Sequence, residues 1–485
     1  MDSPKLFQDE LWSLMQESDM GPQFRLEEME DSDINDDGLL DFSEEASSSS
    51  TEFADSKLWS GPQVGNTLKA IDTSNIKDER RHLTPVCSPN WSSLGKRDRS
   101  QELKVPGKLS SKDKAPAKES KWALQLLNNC VQAIATNNVQ RTQHLMWVLN
   151  DLGCLTGDAN QRLAAYGLKA LFGKVAGTPT AAQAYHHNLD ASATAKNFHN
   201  ALLKFHDLSP WHQVVYTATS GVLLDAFEGK DAIHVIDIGH SQGTQWPTLI
   251  EALATRQSGP PSVFKLTVVE DPCSGLGSGS EVKSRLERFA KVMGLNMELR
   301  MLVTPLHSLT RDAFAIAKPD ALAVCAHFRL NHIDSSQRQE FLNFVRVELE
   351  PDLVIVGEND SDNTSADFST VAVEVIGHFW SFLDSMSGAF KGHECEERQI
   401  MEHLFSTSVV ARLASGMELS ESRESWNARM RSAGFEAEAP HDEIVETARM
   451  LVKKNDVNWE LRNEDNCLVL LWKHRPVTFC SVWKS

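Results

Sequence analysis

A change in hydrophobic pattern at Ala232 constrains the fold of this chain more than any other feature. From that residue onward, short continuous apolar runs alternate with segments in which apolar residues recur every three or four positions. Apolar runs of roughly four to eight residues are typical of strands buried on both faces of a sheet, and the intervening pattern is typical of amphipathic helices. This alternation predicts an α/β fold with a mostly parallel sheet, right-handed crossovers and helices on both faces.

Five predicted strands follow one another in this region. They are AIHVIDIG from Ala232, FKLTVVE from Phe264, MELRMLV from Met297, the run over 322–328 and DLVIVGE over 352–358. Helices are predicted over 246–256, 284–294, 335–349, 366–386, 396–415 and 423–433. The chain closes with VNWELRN, CLVLLWK and VTFCSVW, separated by the polar turns NEDN and HRP, which predict antiparallel strands at one edge of the sheet. The terminal Trp483 is therefore expected to lie within ordered structure.

Residues 122–229 have a helical pattern throughout. Leu127 and Val131 mark the apolar face of a first helix, and Asp158 or Asn160 can cap a third. The predicted organisation is thus a tail over 1–119 and one ordered domain over 120–485, in which a helical region over 122–229 precedes the sheet-containing part over 230–485.

The tail has a composition typical of disorder, with isolated apolar residues among Ser, Asp, Glu, Lys, Pro and Gly. Residues 1–60 hold 17 Asp or Glu against 3 Lys or Arg, so they carry −14 of the total charge of −19 and the rest of the chain carries −5. A near-neutral body does not favour strong nonspecific DNA binding, which needs a basic face. Residues 96–121 hold nine basic and four acidic residues. A nuclear import receptor could bind this tract, and a solvated linker explains it equally well.

Cysteine spacing and hydropathy restrict the cellular compartments in which this chain is expected. The 8 cysteines are scattered without a CxxC pair, so neither a zinc site nor a disulfide framework is predicted. No stretch approaches the ~20 uninterrupted apolar residues of a membrane span, and MDSPKLFQDE is not a secretory signal. These features predict a reducing compartment, the cytosol or the nucleus, and no membrane partner.

The turn after the first strand could support chemistry in two ways. Gly239-His240-Ser241-Gln242-Gly243 matches the G-x-S-x-G nucleophile elbow of α/β-hydrolases, with Ser241 as nucleophile. That fold places several strands before the elbow, whereas the preceding region here is helical in pattern. With Asp237, the turn also resembles the D-x-G-x-G-x-G turn of S-adenosylmethionine methyltransferases, in which Glu270 would hold ribose hydroxyls. Ser241 replaces the middle glycine and hinders close approach of a cofactor. In the structural interpretation, Asp237 caps a helix or fixes the loop, and the glycines are turn residues.

Two features of the tail suggest ligands. The string Asp33–Glu44 matches an EF-hand loop, with oxygen ligands at positions 1, 3, 5 and 9, glycine at 6 and Glu at 12. Its flanks are poor, so a chance string in an acidic tail is the favoured alternative. The segment LFQDELWSLM resembles acidic–hydrophobic activation segments, which fold into grooves of coactivators. Docking of this segment on the protein's own domain is the alternative.

Several blocks from Trp122 to Ser485 resemble, in the right order, the GRAS family of plant transcriptional regulators. LLNNCVQAI and GDANQRLAAYGLKAL resemble its first leucine-rich region, and LAVCAHFRLNHI resembles its second, where the usual His-His pair is Asn331-His332. GENDSD and RPVTFCSVWK are similar to the subgroup that acts in nodulation signalling. The positions that match family motifs are His234, Val235, Ile236, Asp237, Ile238, Gln245, Trp246, Pro247, Trp426, Arg429, Trp472, Ser481 and Trp483.

The resemblance implies a Rossmann-like core with an α-helical cap, nuclear residence, and no catalysis, cofactor or metal. It implies association through the cap with another GRAS protein, of the Nodulation Signalling Pathway 2 type. It also implies control of symbiosis and strigolactone-biosynthesis genes, with promoter DNA bound directly or through partners. Local positive charge late in the chain gives direct DNA contact only weak support, since ordinary solvated surface is the favoured explanation. The residues concerned are Arg423, Arg429, Arg431, Lys473, His474 and Arg475.

Overall fold

The predicted parallel sheet is present and forms the centre of the protein. The computed structural model describes residues 121–176, 191–239, 243–270, 279–317, 321–390, 395–416 and 420–485. The five parallel strands are β1 (Ala232–Asp237), β2 (Val263–Glu270), β3 (Met297–Val303), β4 (Ala321–His327) and β5 (Leu353–Asn359). Their order is β3-β2-β1-β4-β5, so the direction of strand progression reverses between β1 and β4. The carboxyl ends of these two strands therefore flank the position where doubly wound sheets place their functional sites.

The remaining strands are antiparallel, as predicted. They are β6 (Glu436–Glu438), β7 (Trp459–Glu464), β8 (Cys467–Trp472) and β9 (Arg475–Lys484). β9 pairs with β5, and the sheet continues through β8 to β7, while β6 pairs with β9. Trp483, in β9, is only 1% exposed, which confirms that the last residues are ordered.

Two-residue turns join these strands. Asp465 and Asn466 have φ of 51° and 62°, and Lys473 and His474 have φ of 47° and 66°. Two successive residues with positive φ are the mark of a type I′ turn, whose twist suits antiparallel strands. The second turn is therefore Lys473-His474, and the predicted HRP turn is displaced because Arg475 already pairs with Trp472 in the ladder.

The helices confirm the predicted alternation. In chain order they are α1 (Trp122–Ala135), α2 (Val139–Leu152), α3 (Ala159–Ala176), α4 (Ala191–Leu208), α5 (Pro210–Ala226), α6 (Trp246–Thr255), α7 (Gly279–Met293), α8 (Arg338–Phe344), α9 (Phe368–Ala389), α10 (Glu396–Ser415), α11 (Arg423–Ser432) and α12 (Asp442–Lys453). Asp158 is the cap of α3, since its carboxylate accepts from the Gln161 amide while the Gln161 side chain accepts from the Asp158 amide. Asn160 instead accepts from the Ala123 amide and ties α3 to α1.

One helical prediction needs correction, and two elements were not predicted. The helix predicted over 335–349 begins only at Arg338, and its last turn, 345–349, is π-helical. The strand β6 and the helix α12 were not predicted, although Val445, Ala448 and Val452 give α12 a buried face at helical spacing.

The helices form two groups. α1 to α4 pack with α9 and α10 into a helical cap, so the cap draws on both halves of the sequence. α5 instead contacts β4, β9 and α12 and belongs to the layer that covers the sheet. The division of the chain at 119/120 stays a prediction, because the described residues begin at 121.

Candidate functional site

The candidate site lies at the carboxyl end of β1, where Asp237 is buried with only 1% exposure. Its Oδ2 accepts a hydrogen bond from Trp246 Nε1 at 2.7 Å and another from Gln245 Nε2 at 3.2 Å. Both donors stand at the start of α6, where Pro247 occupies the first turn and suits its missing N–H. Asp237 therefore ties the end of β1 to the start of α6.

The hydrogen-bond chain continues from Gln245 to β4 and α5. Gln245 Oε1 lies 2.9 Å from His327 Nδ1, and His327 Nε2 lies 3.0 Å from Thr219 Oγ1. A carboxamide oxygen only accepts, so Nδ1 carries the proton and Nε2 accepts from the Thr219 hydroxyl. Burial lowers the pKa of His327 to about 3, so the ring is neutral. This chain ties β1, β4, α5 and α6 together at the point where strand progression reverses.

The two glycines of the turn are explained by packing. A Cβ on Gly239 would lie 2.7 Å from Asp237 Oδ1, and Gly243 has φ +76° with a Cβ position 2.8 Å from Val282. Each position excludes a side chain without reference to a cofactor. Residues 240–242 lie outside the described residues, so Ser241 as nucleophile stays untested.

Glu270, the residue that would hold ribose hydroxyls in an enzyme, lies against the start of α7. A Cβ on Gly279, the first residue of that helix, would be 2.5 Å from Glu270 Oε2. Partial burial raises the pKa of Glu270. The Glu270 side chain is therefore packed against the first residue of α7.

Asp237 allows a prediction about pH. Burial raises its pKa from 3.8 to about 7, and the hydrogen bonds from Trp246 and Gln245 only partly oppose that shift. Because the pKa is higher in the folded state, folding favours the neutral form of the carboxyl. This contribution to the free energy of unfolding is fully present below about pH 4 and is lost as pH rises to about 7. Asp237→Asn keeps the shape and cannot ionise. We expect the free energy of unfolding of Asp237→Asn, relative to wild type, to increase between pH 4 and 7 by roughly 1.4 kcal/mol per unit of pKa shift.

Urea denaturation at pH 4.5, 6 and 7.5 measures this difference. Gln257→Asn, a change at an exposed position after α6 that involves no ionisable group, is the control and should give a difference that does not vary with pH. A constant difference for Asp237→Asn would contradict the prediction.

A second buried cluster surrounds Asn331, at the carboxyl end of β4. Its Nδ2 donates to Glu358 Oε2 at 3.0 Å, and its Oδ1 accepts from the Glu421 amide and from Trp426 Nε1, each at 3.1 Å. Arg338 donates to Glu421 Oε1 at 2.7 Å and to the Asn331 carbonyl at 2.9 Å. Asn331, where the family usually has histidine, thus bridges β5 and α11.

Arg429 completes this cluster by donating to both carboxylate oxygens of Glu421, at 2.5 and 2.8 Å. Sequence reasoning identified Trp426 and Arg429 but missed Arg338, Glu358 and Glu421. An acid at the end of a continuous apolar strand was the available signal for Glu358, whose pKa burial raises to about 7.

Comparison with known proteins identifies the family. A model of the GRAS domain family matches residues 123–484, three quarters of the chain. This chain belongs to the GRAS family. It is 35% identical over 442 residues to Protein Nodulation Signaling Pathway 1 of Lotus japonicus, a match that covers 86% of this chain and 80% of that protein. The protein of the same name from Medicago truncatula is 36% identical over 396 residues, covering 76% and 70%. The crystal structure of SCL7 from Oryza sativa matches with a TM-score of 0.64 and 24% identity, covering 75% of this chain and 99% of that one, which confirms the fold.

The other residues that match GRAS motifs are buried in the sheet. Val235, Ile236 and Ile238 are core residues at 0–1% exposure. His234 Nε2 lies 2.9 Å from the Thr267 hydroxyl on β2, which joins the two strands. In the last GRAS blocks, Trp472 Nε1 donates to Asp384 at 2.9 Å and Trp483 Nε1 donates to Ser481 at 2.9 Å.

The basic residues late in this GRAS domain are engaged in the structure. Arg423 contacts Glu424 and Glu464, Arg429 contacts Glu421, Lys473 contacts Asp384, His474 contacts Glu460 and Arg475 contacts Glu374. Arg431 lies over the Trp483 ring at 5.8 Å. Acidic side chains therefore compensate most of the positive charge of these residues. This agrees with the interpretation of these residues as ordinary solvated surface.

The remaining sequence predictions concern ligands and compartment. Asp33–Glu44, LFQDELWSLM and the basic tract over 96–121, except Lys121, lie outside the described residues. Cys130, Cys325, Cys467 and Cys480 are buried thiols. Across the ranges that the structure describes, no helix is long and apolar enough to cross a membrane.

Proposed function

We propose that this GRAS protein is a non-enzymatic transcriptional regulator of nodulation signalling in plants. The names of its relatives from Lotus japonicus and Medicago truncatula support the pathway. The observation that carries the non-enzymatic part is the geometry of Asp237, which Trp246 and Gln245 bind and bury at the turn where an enzyme of this fold would meet a cofactor. The sheet in this proposal is a scaffold for docking surfaces.

The proposal includes nuclear residence and control of symbiosis and strigolactone-biosynthesis genes. It places a second GRAS protein, of the Nodulation Signalling Pathway 2 type, on the cap, and a coactivator on the acidic N-terminal segment. Exposed apolar side chains on the cap support the first of these partners. Trp147 on α2 is 66% exposed and Phe172 on α3 is 60% exposed, so the cap presents large apolar side chains that a partner protein could cover.

Promoter binding with and without the partner tests the proposal. Because five of the six late basic residues contact carboxylates, we expect the protein alone to bind promoter DNA weakly, with a shallow dependence of affinity on salt, and the complex with its partner to bind at least tenfold more tightly. Fluorescence anisotropy at several salt concentrations measures both, since the logarithmic slope reports the number of phosphates neutralised.

The cap supplies a matched pair of variants. Trp147→Asp combined with Phe172→Asp should abolish the gain from the partner, whereas Met450→Asp, at a 59% exposed position on α12, should preserve it. A steep salt slope without the partner would contradict the partner-dependent part. Saturable binding of S-adenosylmethionine in calorimetry would overturn the non-enzymatic part.

A further inference from the structure

An open polar groove of about 1100 Å³ lies at the carboxyl edge of the sheet, beside β5 and the start of β9. The loop after β5, the first turn of α9 and the first turn of α11 form its walls. In α/β sheets, ligands bind outside the carboxyl ends of the strands, characteristically where strand progression reverses. This groove lies at the same edge but beside β5. This groove is separate from the Asp237 turn, which lies at the end of β1.

The charge of the groove is negative. Five acids and two arginines line it, which gives five negative against two positive charges, a net of −3: Asp360, Asp362, Asp367, Glu374, Glu424, Arg423 and Arg475. Both arginines are already paired within the walls. Arg475 contacts Glu374 at 2.8 Å, and Arg423 contacts Glu424 at 2.8 Å. A bound anion would therefore meet only arginines that are already paired with acids of the groove.

Two acids of the groove are exposed and well placed for a ligand. Asp362 accepts from the Thr364 amide and hydroxyl, and Asp367 caps α9 by accepting from the Thr370 amide at 2.8 Å. The hydrogen bonds from Thr370 hold the pKa of Asp367 below its usual value, so this carboxylate is ionised at neutral pH.

A buried hydroxyl provides an independent indication of a ligand. Ser361 lines the groove, is only 2% exposed, and its Oγ has no hydrogen-bond partner among the described residues. Buried hydroxyls are normally paired, because an unpaired one costs free energy. An N–H group from a bound molecule would satisfy the acceptor capacity of Ser361.

We propose that this groove binds a lysine- and arginine-rich segment of a partner protein. The carboxylates are spread over two helix starts and a loop, which suits an extended chain with several cationic side chains. A single metal ion needs converging ligands, and the described residues contain no group of three or more His, Cys, Asp or Glu suited to one. The inference is independent of the proposed function, because neither Trp147 and Phe172 nor the Asp237 turn lines the groove, although α9 of the cap forms one of its walls.

Binding of a fluorescein-labelled peptide of four Lys-Arg-Gly repeats to the full-length protein tests the proposal. Asp362→Asn combined with Asp367→Asn removes two charges, while asparagine still accepts the hydrogen bonds of the turn and the helix cap. We expect this variant to bind the peptide roughly tenfold more weakly, since two partly exposed ion pairs each contribute a few-fold at most. Asp442→Asn combined with Glu443→Gln removes two exposed charges from the first turn of α12, outside the groove, and should bind within about twofold of wild type.

Both variants keep the acidic tail, so its attraction for the peptide cancels in the comparison. A photo-crosslinking version of the peptide should label residues 360–374 or 422–424. Equal affinity of the groove variant and wild type would overturn the proposal. Crosslinks confined to residues 1–60, or groove labelling by an acidic peptide of the same length, would also overturn it.

Discussion

Replacing Glu402 with alanine should lower the free energy of unfolding by about 3–5 kcal/mol. Glu402, on α10, is fully buried, and its carboxylate contacts Arg162 at 3.0 Å and Arg398 at 3.5 Å. Arg162, on α3, is itself 1% exposed. Removal of the carboxylate leaves two guanidinium groups without their shared counterion in the interior of the cap.

Arg162 makes the loss hard to relieve. Its other donors already bind the Gly157 carbonyl, the Leu383 carbonyl and the Ser387 hydroxyl, so the side chain is held in place across α3, α9 and α10. It cannot turn toward water without breaking these bonds. The free-energy cost of keeping the Arg162 charge buried without its counterion therefore lowers the measured free energy of unfolding.

Glu397→Ala on the same helix is the matched control. Glu397 contacts Lys204 at 3.0 Å, but the two side chains are 32% and 43% exposed. An exposed pair of this kind contributes about 0.2–1 kcal/mol. Urea denaturation of both variants at one pH makes the comparison, and equal losses would show that burial of Glu402 does not govern its contribution.

The sheet was predictable because its signal is local. Each parallel strand is a continuous apolar run, and each crossover helix has its own apolar face, so the order of elements follows from the sequence. The antiparallel end of the sheet follows from the same apolar runs and from the short turns between them, whereas the strand order β3-β2-β1-β4-β5 was not predicted. The helix α12 was missed although its pattern was present, and β6 is only three residues long.

The polar clusters were not predictable because their members are far apart in the chain. Arg338 and Glu421 are 83 residues apart, and Asn331 and Trp426 are 95 residues apart. No local pattern shows that such residues meet, so resemblance to the family identified Trp426 and Arg429 without their partners. The same limit applies to Gln245 and His327, which are 82 residues apart.

Trp426→Ala should lower the free energy of unfolding by about 3–5 kcal/mol, because it removes a large side chain from a filled core. Trp426 is 1% exposed and packs in the cluster formed by α11, β4 and β5. The Arg338 guanidinium lies over its ring at 5.4 Å. Loss of the ring opens a cavity beside a buried charge that is already paired with Glu421.

Trp426→Phe separates the packing of the ring from its hydrogen bond. Phenylalanine keeps most of the apolar volume but cannot donate to Asn331, whose Oδ1 still accepts from the Glu421 amide. The expected loss is therefore only about 1 kcal/mol.

Trp147→Ala provides the control for the aromatic change itself, since Trp147 is 66% exposed and its replacement should stay within about 0.5 kcal/mol of wild type. Thermal or urea denaturation of the three variants gives the ranking. If Trp426→Phe cost as much as Trp426→Ala, the hydrogen bond to Asn331 rather than the packed ring would join α11 to the sheet.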